Sequence, residues 1–193
     1  MAACSVAGLL LAAGGGRRFG MPKALVPWGP GLLVEHAAAT LVDAGCDPVI
    51  TVLGAAADEV RARSKLPGVV VDNPDWADGM GSSLRVGLTA LGDCDAVVVL
   101  TVDTPGITAE AIRRFIAMAA PGALARASYD GVPGHPVLIG RDHWSGVAEA
   151  ADGDTGARPY LARNRVTDVP CADIADGADA DRPGDLPGRP HDQ

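Results

Sequence analysis

Residues 6–25 read V-A-G-L-L-L-A-A-G-G-G-R-R-F-G-M-P-K-A-L. An apolar run breaks into three consecutive glycines, and Arg17, Arg18 and Lys23 follow within a few residues. That order constrains the fold more than any other stretch: a buried strand must feed a loop whose backbone N–H groups can turn toward an anion. Glycine permits the turn, and the cations supply charge for phosphate. A glycine-rich turn without cations would serve equally as a plain strand-to-helix connection. Arg17, Arg18 and Lys23 favour a loop that holds a nucleoside triphosphate. The stretch is not a P-loop, since no G-K-[ST] stands at the needed spacing, and the arginines and Pro22 spoil it as a dinucleotide fingerprint.

The remaining chain alternates strand-like and helix-like patterns. Apolar residues at helical spacing from Leu33 to Val42 predict a helix that stops at Gly45. Strands are expected at residues 48–53, 69–71 and 96–101, with helices at 56–64 and 82–91 between them. Thr108 caps a helix that runs to Met118. Residues 124–128 and 132–139 bracket Y-D-G and read as an antiparallel pair; helices at 141–150 and 156–163 and a last strand at 166–169 follow. This predicts an α/β chain, a Rossmann-like three-layer sandwich with a mostly parallel, mixed sheet. Residues 1–186 form one domain and 187–193 a disordered tail, where composition has shifted to Asp, Gly, Ala and Pro. In such sheets ligands sit at the carboxyl ends of strands. The glycine loop, the D-G-M-G-S-S segment at 78–83 and the V-D-T-P turn at 102–105 should therefore share one rim.

A formal net charge of -8 argues against a nucleic-acid or membrane-surface binder, and it isolates the basic cluster at 17–23. Cys4, Cys46, Cys94 and Cys171 show no CxxC or metal-type spacing and read as reduced, mostly buried thiols of a cytoplasmic protein. No apolar run approaches the ~20 residues of a membrane span, and the cations follow the first apolar run instead of preceding it, the wrong polarity for a secretory signal.

Four further segments carry polar chemistry, each with a plainer alternative. Asp103 follows a buried strand, where a carboxylate either ligates Mg2+ or caps a turn. In D-G-M-G-S-S-L, Ser82 could simply cap the next helix. G-H-P-V-L-I at 134–139 and G-D-T-G-A-R at 153–158 present His135 and Arg158, and D-A-D-R-P-G-D-L at 179–186 presents Asp179 and Asp181; these also suit a solvent-side histidine, a capped helix start and an acidic solvated tail.

Taken together, L-A-A-G-G-G-R-R-F-G-M-P-K-A-L and the four later segments, in this order, resemble the molybdenum-cofactor nucleotidyltransferases. These lie within the wider nucleotidyltransferases of the nucleotide-diphospho-sugar transferase type. The resemblance spans nearly the whole chain, to Leu186. It implies that Leu11, Ala12, Ala13, Gly14, Gly15, Gly16 and Arg17 bind the nucleotide, with Gly79, Met80, Gly81 and Ser82 on the base side. It gives Lys23, Arg18 and Asp103 catalytic roles, Mg2+ to Asp103 with Asp179, and the pterin-bearing acceptor to His135, Arg158, Asp179 and Asp181. G-M-x-S-S-L, and L-A-A-G where guanylyl-transferring relatives carry L-A-G-G, point to the cytidylyl-transferring branch. CTP and molybdopterin cofactor are then the substrates, and a molybdenum hydroxylase or its maturation factor a transient partner. Arg182 and Gly184 depart from the family's commoner T-P-E-D wording. The alternatives are a guanylyl- or sugar-phosphate nucleotidyltransferase on the same scaffold, or a cofactor-binding chaperone without chemistry.

Overall fold

β1 (Val6–Ala12) is buried at every position, because its side chains feed two cores at once. Leu10 packs on one side of the sheet, and Leu9 and Leu11 on the other. Each fully buried leucine contributes about 1.5–3 kcal/mol relative to exposure, so this strand is where the layers are joined. The computed structural model describes residues 4–186, and the tail expected at 187–193 lies outside the described residues.

After the glycine loop the chain makes a small antiparallel ribbon, β2 (Pro27–Trp28) and β3 (Gly31–Leu32), that the sequence pattern did not announce. α1 (Leu33–Ala44) ends at Gly45, whose φ of 101° lets its N–H reach back to the carbonyls of Leu41 and Val42. There follow β4 (Val49–Leu53), α2 (Ala57–Arg63), β5 (Val69–Asp72), α3 (Met80–Ala90), β6 (Ala96–Thr101) and α4 (Ala109–Ile116). As expected, Thr108 caps α4, its Oγ1 accepting from the Ala111 N–H at 3.2 Å. β7 (Leu124–Tyr129), β8 (Val132–Gly140), α5 (Trp144–Ala150), α6 (Arg158–Leu161) and β9 (Thr167–Pro170) complete the order.

Seven strands form one sheet in the order β5-β4-β1-β6-β8-β7-β9. β5, β4, β1 and β6 run parallel, β8 is antiparallel to β6, β7 antiparallel to β8, and β9 parallel to β7. The expected mixed α/β sandwich is borne out. Val34, Leu41, Val60, Ile112 and Phe115 put α1, α2 and α4 on one face; Leu84, Leu88, Val147 and Leu161 put α3, α5 and α6 on the other. Three helices start elsewhere than expected: α5 begins at Trp144, behind a 3-10 turn at Arg141–His143. α3 begins at Met80, two residues early, with Gly79 and not Ser82 at its cap. α6 (expected at 156–163) starts late because Gly156, at φ 55° and ψ -129°, is outside the helical region, and it spans four residues. Cys4, Cys46, Cys94 and Cys171 are free thiols, and all but Cys4 are buried. Among the described residues no helix is long and apolar enough to cross a membrane.

Candidate active site

The site is built on the carboxyl ends of the parallel strands. Two backbone hydrogen bonds tie the start of the glycine loop to its neighbours: Val102 N–H to Leu11 C=O at 3.1 Å, and Ala55 N–H to Ala13 C=O at 2.9 Å. The loop then folds back on itself. Gly16 has φ 61°, and a Cβ there would stand 1.8 Å from the Met21 carbonyl oxygen, so only glycine fits. Gly20 N–H returns to Gly16 C=O at 2.8 Å, and the short helical turn Lys23–Leu25 delivers Lys23 back to the rim. Among the described residues, the N–H groups of Gly14, Gly15 and Gly16 meet no acceptor. Orphan donors beside cations suit an anion.

β6 brings Asp103 to the same rim, and the C-terminal segment comes to meet it. Ala180, 1% exposed, donates its N–H to the Asp103 carbonyl at 2.8 Å. Asp176 N–H reaches Gly106 C=O at 3.1 Å. The Asp185 carboxylate accepts from the N–H of Asp181 at 3.1 Å and of Arg182 at 2.7 Å. Docking by Ala180 presents Asp179 and Asp181, its two flanking residues, to the site.

Lys23 Nζ donates to Asp103 Oδ2 and to Asp181 Oδ1, both at 3.0 Å, and Arg18 pairs with Asp181 Oδ2 at 2.8 Å. Burial pulls the Lys23 ammonium down, but the Asp103 and Asp181 carboxylates outweigh it; the net shift is upward and Lys23 stays charged. The hydrogen bond from Lys23, with help from Arg18, holds the Asp181 carboxyl below its usual range. Asp179 behaves oppositely. Partial desolvation and then the neighbouring Asp103 charge push its carboxyl up, with Asp181 adding to the effect. Its charge faces two other carboxylates and is only partly offset by His135 and Lys23.

A cavity of about 560 Å³ opens over this arrangement, a size typical of small-molecule sites. Leu11, Ala13, Gly14, Gly15, Gly16, Arg17, Arg18 and Lys23 line it from the first loop, and Gly79 and Met80 from the start of α3. Asp103, Arg158, Asp179 and Asp181 are on its wall as well. The three segments expected on one rim do meet there.

Four expected residues stand elsewhere. Ala12 is 1% exposed inside β1. Gly81 packs on backbone, a Cβ there falling 2.8 Å from the Asp152 nitrogen. Ser82 is buried: its Oγ accepts from Asn73 Nδ2 at 2.8 Å and sits within 2.9 Å of the Asp75 and Gly79 carbonyls, so it braces the loop; Ser83 lines the cavity in its place. His135 lines a separate cavity of about 60 Å³, adjoining the first through shared Leu11, Met80 and Arg158. Burial lowers the His135 pKa, which favours a neutral ring, and its Nδ1 lies 3.3 Å from the Val99 carbonyl. Sequence reasoning passed over Trp76, Ser83 and Thr101 on the main wall, while Asp154, in the G-D-T-G turn that the resemblance sets against the acceptor, does line it. A tryptophan inside the otherwise polar D-N-P-D-W-A-D-G was the one available signal.

Among the described residues no three His, Cys, Asp or Glu side chains are gathered as a metal cage. A protein cage is not what Mg2+ needs; it is commonly held by one or two carboxylates plus substrate phosphates. Asp103 and Asp179 fit that chemistry: both line the cavity, and a dication would offset the Asp103 charge that, after desolvation, raises the Asp179 carboxyl.

Proteins similar to this chain carry more than one kind of name. The chain is 39% identical over 187 residues to nicotine blue oxidoreductase of Paenarthrobacter nicotinovorans, covering 91% of this chain and 92% of that protein. It is 25% identical over 135 residues to molybdenum cofactor cytidylyltransferase of Escherichia coli K12, covering 69% of each. The crystal structure of a Mycobacterium tuberculosis Rv0371c homologue, from Mycobacterium sp. strain JC1, superposes with a TM-score of 0.75 at 32% identity over 90% of each chain. Rv0371c of M. tuberculosis H37Rv, solved in complex with manganese, superposes at 0.71 with 26% identity, covering 88% of this chain and 89% of that one. The family model described as the MobA-like NTP transferase domain matches residues 8–169. That span takes in the glycine loop, Lys23 and Asp103 and stops short of Asp179 and Asp181, and the chain belongs to this nucleotidyltransferase family.

Proposed function

We propose that the protein transfers CMP from CTP to the terminal phosphate of molybdopterin cofactor and releases pyrophosphate. The observation that carries this reading is Lys23, held 3.0 Å from both Asp103 and Asp181 on the wall that also bears the unpaired glycine N–H groups. An acceptor phosphate oxygen attacks the α-phosphorus, the bond from the α-phosphorus to the bridging oxygen breaks, and the pair of electrons leaves with pyrophosphate. An ionised phosphate needs no strong base, so the protein's work is positioning and charge neutralisation. Lys23 offsets charge at the α-phosphoryl group, while Arg18, Arg17 and the Gly14, Gly15 and Gly16 amides hold the leaving pyrophosphate. Asp103 and Asp179 would hold Mg2+, which supplies Lewis-acid charge neutralisation on the phosphates. Asp179 is favoured over Asp181 because Asp181 is already paired with Lys23 and Arg18. Arg158, at the junction of the two cavities, binds the acceptor phosphate; His135 contributes to the acceptor side from the smaller cavity. The methyl of Ala13 narrows the base side and favours a pyrimidine. Delivery then runs to a molybdenum hydroxylase or its maturation factor.

The test is pyrophosphate release by purified protein with Mg2+, molybdopterin cofactor and each of the four labelled triphosphates. CTP should be used far faster than GTP. Equal or greater use of GTP would overturn the cytidylyl assignment, and no release with any triphosphate would overturn transfer itself. The 39% identical relative, named nicotine blue oxidoreductase, favours a second reading, oxidation or reduction of a small organic substrate in the same cavity. Electron transfer does not call for a lysine between two carboxylates, which is why nucleotidyl transfer stands first. Bleaching of nicotine blue by a reduced pyridine nucleotide, without pyrophosphate release, would reverse that order.

A further inference from the structure

Trp76 is the one aromatic ring among the described residues lining the large cavity. It is half-buried on the cavity wall, so part of the indole is open to whatever enters. Two glycines leave room for it. A Cβ on Gly15 would lie 3.0 Å from the Trp76 six-membered ring, and one on Gly54 would lie 2.5 Å from the Trp76 Cβ. The indole therefore rests on the glycine loop itself, on the side of the cavity that Ala13 and Gly15 form.

The segment carrying the ring is held rigid by a buried polar frame. Asn73, 1% exposed, donates its N–H to the Leu53 carbonyl at 2.7 Å. Its Oδ1 accepts from the Asp75 N–H at 3.0 Å, and its Nδ2 donates to Ser82 Oγ and Ser83 Oγ at 2.8 and 2.9 Å. A buried amide so fully satisfied fixes one conformation, since leaving any of these groups unpaired costs about 1–3 kcal/mol. Gly79 N–H closes the turn onto the Trp76 carbonyl at 3.2 Å. A ring braced from both flanks before any ligand arrives is a preorganised platform.

We infer that Trp76 is the stacking surface for the nucleobase of the bound triphosphate, with Asn73, Ser82 and Ser83 positioning it. The inference rests on the triphosphate reading above. It separates base recognition, on the Trp76 and Ala13 side, from phosphate recognition at Arg18 and Lys23.

The experiment is calorimetric titration with Mg2+ present, comparing CTP with inorganic tripolyphosphate, which has the phosphates and no base. Trp76→Leu keeps an apolar bulk over Gly15 but has no π face; Trp76→Phe keeps a ring. Stacking on an aromatic side chain corresponds to about a 5- to 100-fold effect. Trp76→Leu should weaken CTP binding by that amount and Trp76→Phe by much less, with tripolyphosphate unchanged in both. Equal weakening of CTP and tripolyphosphate in Trp76→Leu would make the residue a prop for the loop and overturn the inference, as would unchanged CTP binding. If the wild type binds tripolyphosphate as tightly as CTP, no base site exists and the inference falls while the phosphate cradle stands. If it binds neither, the triphosphate reading falls as well.

Discussion

Asp181 occupies the two cations that a triphosphate would need, so its removal should make the protein a better binder and a worse catalyst. Its Oδ2 stands 2.8 Å from Arg18 and its Oδ1 3.0 Å from Lys23. The two pairs are unequal. Arg18 is 74% exposed, and an ion pair in that setting is worth about 0–1 kcal/mol. Lys23 is only 13% exposed, and a shielded charge-assisted hydrogen bond is worth about 1.5–3 kcal/mol. Without a divalent cation, an incoming triphosphate must take Lys23 from Asp181 and also meet the repulsion of its carboxylate. Asp181→Ala lifts both costs, while Lys23 stays anchored by Asp103 at 3.0 Å. At the lower end of the hydrogen-bond range this is about a tenfold gain in CTP affinity in the presence of a chelator. With Mg2+ restored, turnover should fall, because Asp181 no longer aligns Lys23 and Arg18. Titration calorimetry in chelator and pyrophosphate release in Mg2+ measure the two halves. Unchanged or weaker metal-free affinity would show that Asp181 does not compete with the triphosphate, and would refute the reasoning.

Asp103→Ala should abolish metal-dependent pyrophosphate release while lowering the thermal melt by only a few degrees, since its side chain gives up the bond to Lys23 but the Asp103 carbonyl still holds Ala180; unchanged activity would refute a metal role. Ala13→Gly removes the methyl that lines the base side and should lower the preference for CTP over GTP by about tenfold, the worth of one small group in a tight pocket; an unaltered ratio in competition assays would free Ala13 of that role. Burial pushes the Cys46 thiol up to about 12, so at pH 8 it is almost wholly protonated. Iodoacetamide followed by peptide mapping should therefore find Cys46 unlabelled until the protein is unfolded, and Cys46 labelling as fast as Cys4 would contradict the packing around it.

Much of the fold could be read locally. β1 and β6 are unbroken apolar runs, Gly45 ends α1, and Thr108 caps α4; each depends on neighbours within a turn or two. The loop carrying Arg17, Arg18 and Lys23, and Asp103 after β6, were legible for the same reason: a buried strand obliges the residues after it to emerge at a rim. The placement of β8 beside β6, ahead of β7, was not legible, because it depends on a pairing between segments about forty residues apart in sequence.

Ser82 and Trp76 mark the limit most clearly. Motif matching put Ser82 against the base, yet its hydroxyl is enclosed by Asn73, Asp75 and Gly79, and the ring beside it faces the cavity. No local pattern tells a serine that braces a loop from one that touches a ligand. The polar tail at 179–186 read equally as a solvated end or a site element, and the Ala180 N–H to Asp103 C=O bond makes it part of the wall. Periodicity, glycines and charge established an α/β sheet with a phosphate-ready loop, since those are short-range properties of the backbone. Which side chains share the cavity was decided by packing and hydrogen bonds between segments far apart in the chain, whose energies no single stretch of sequence contains.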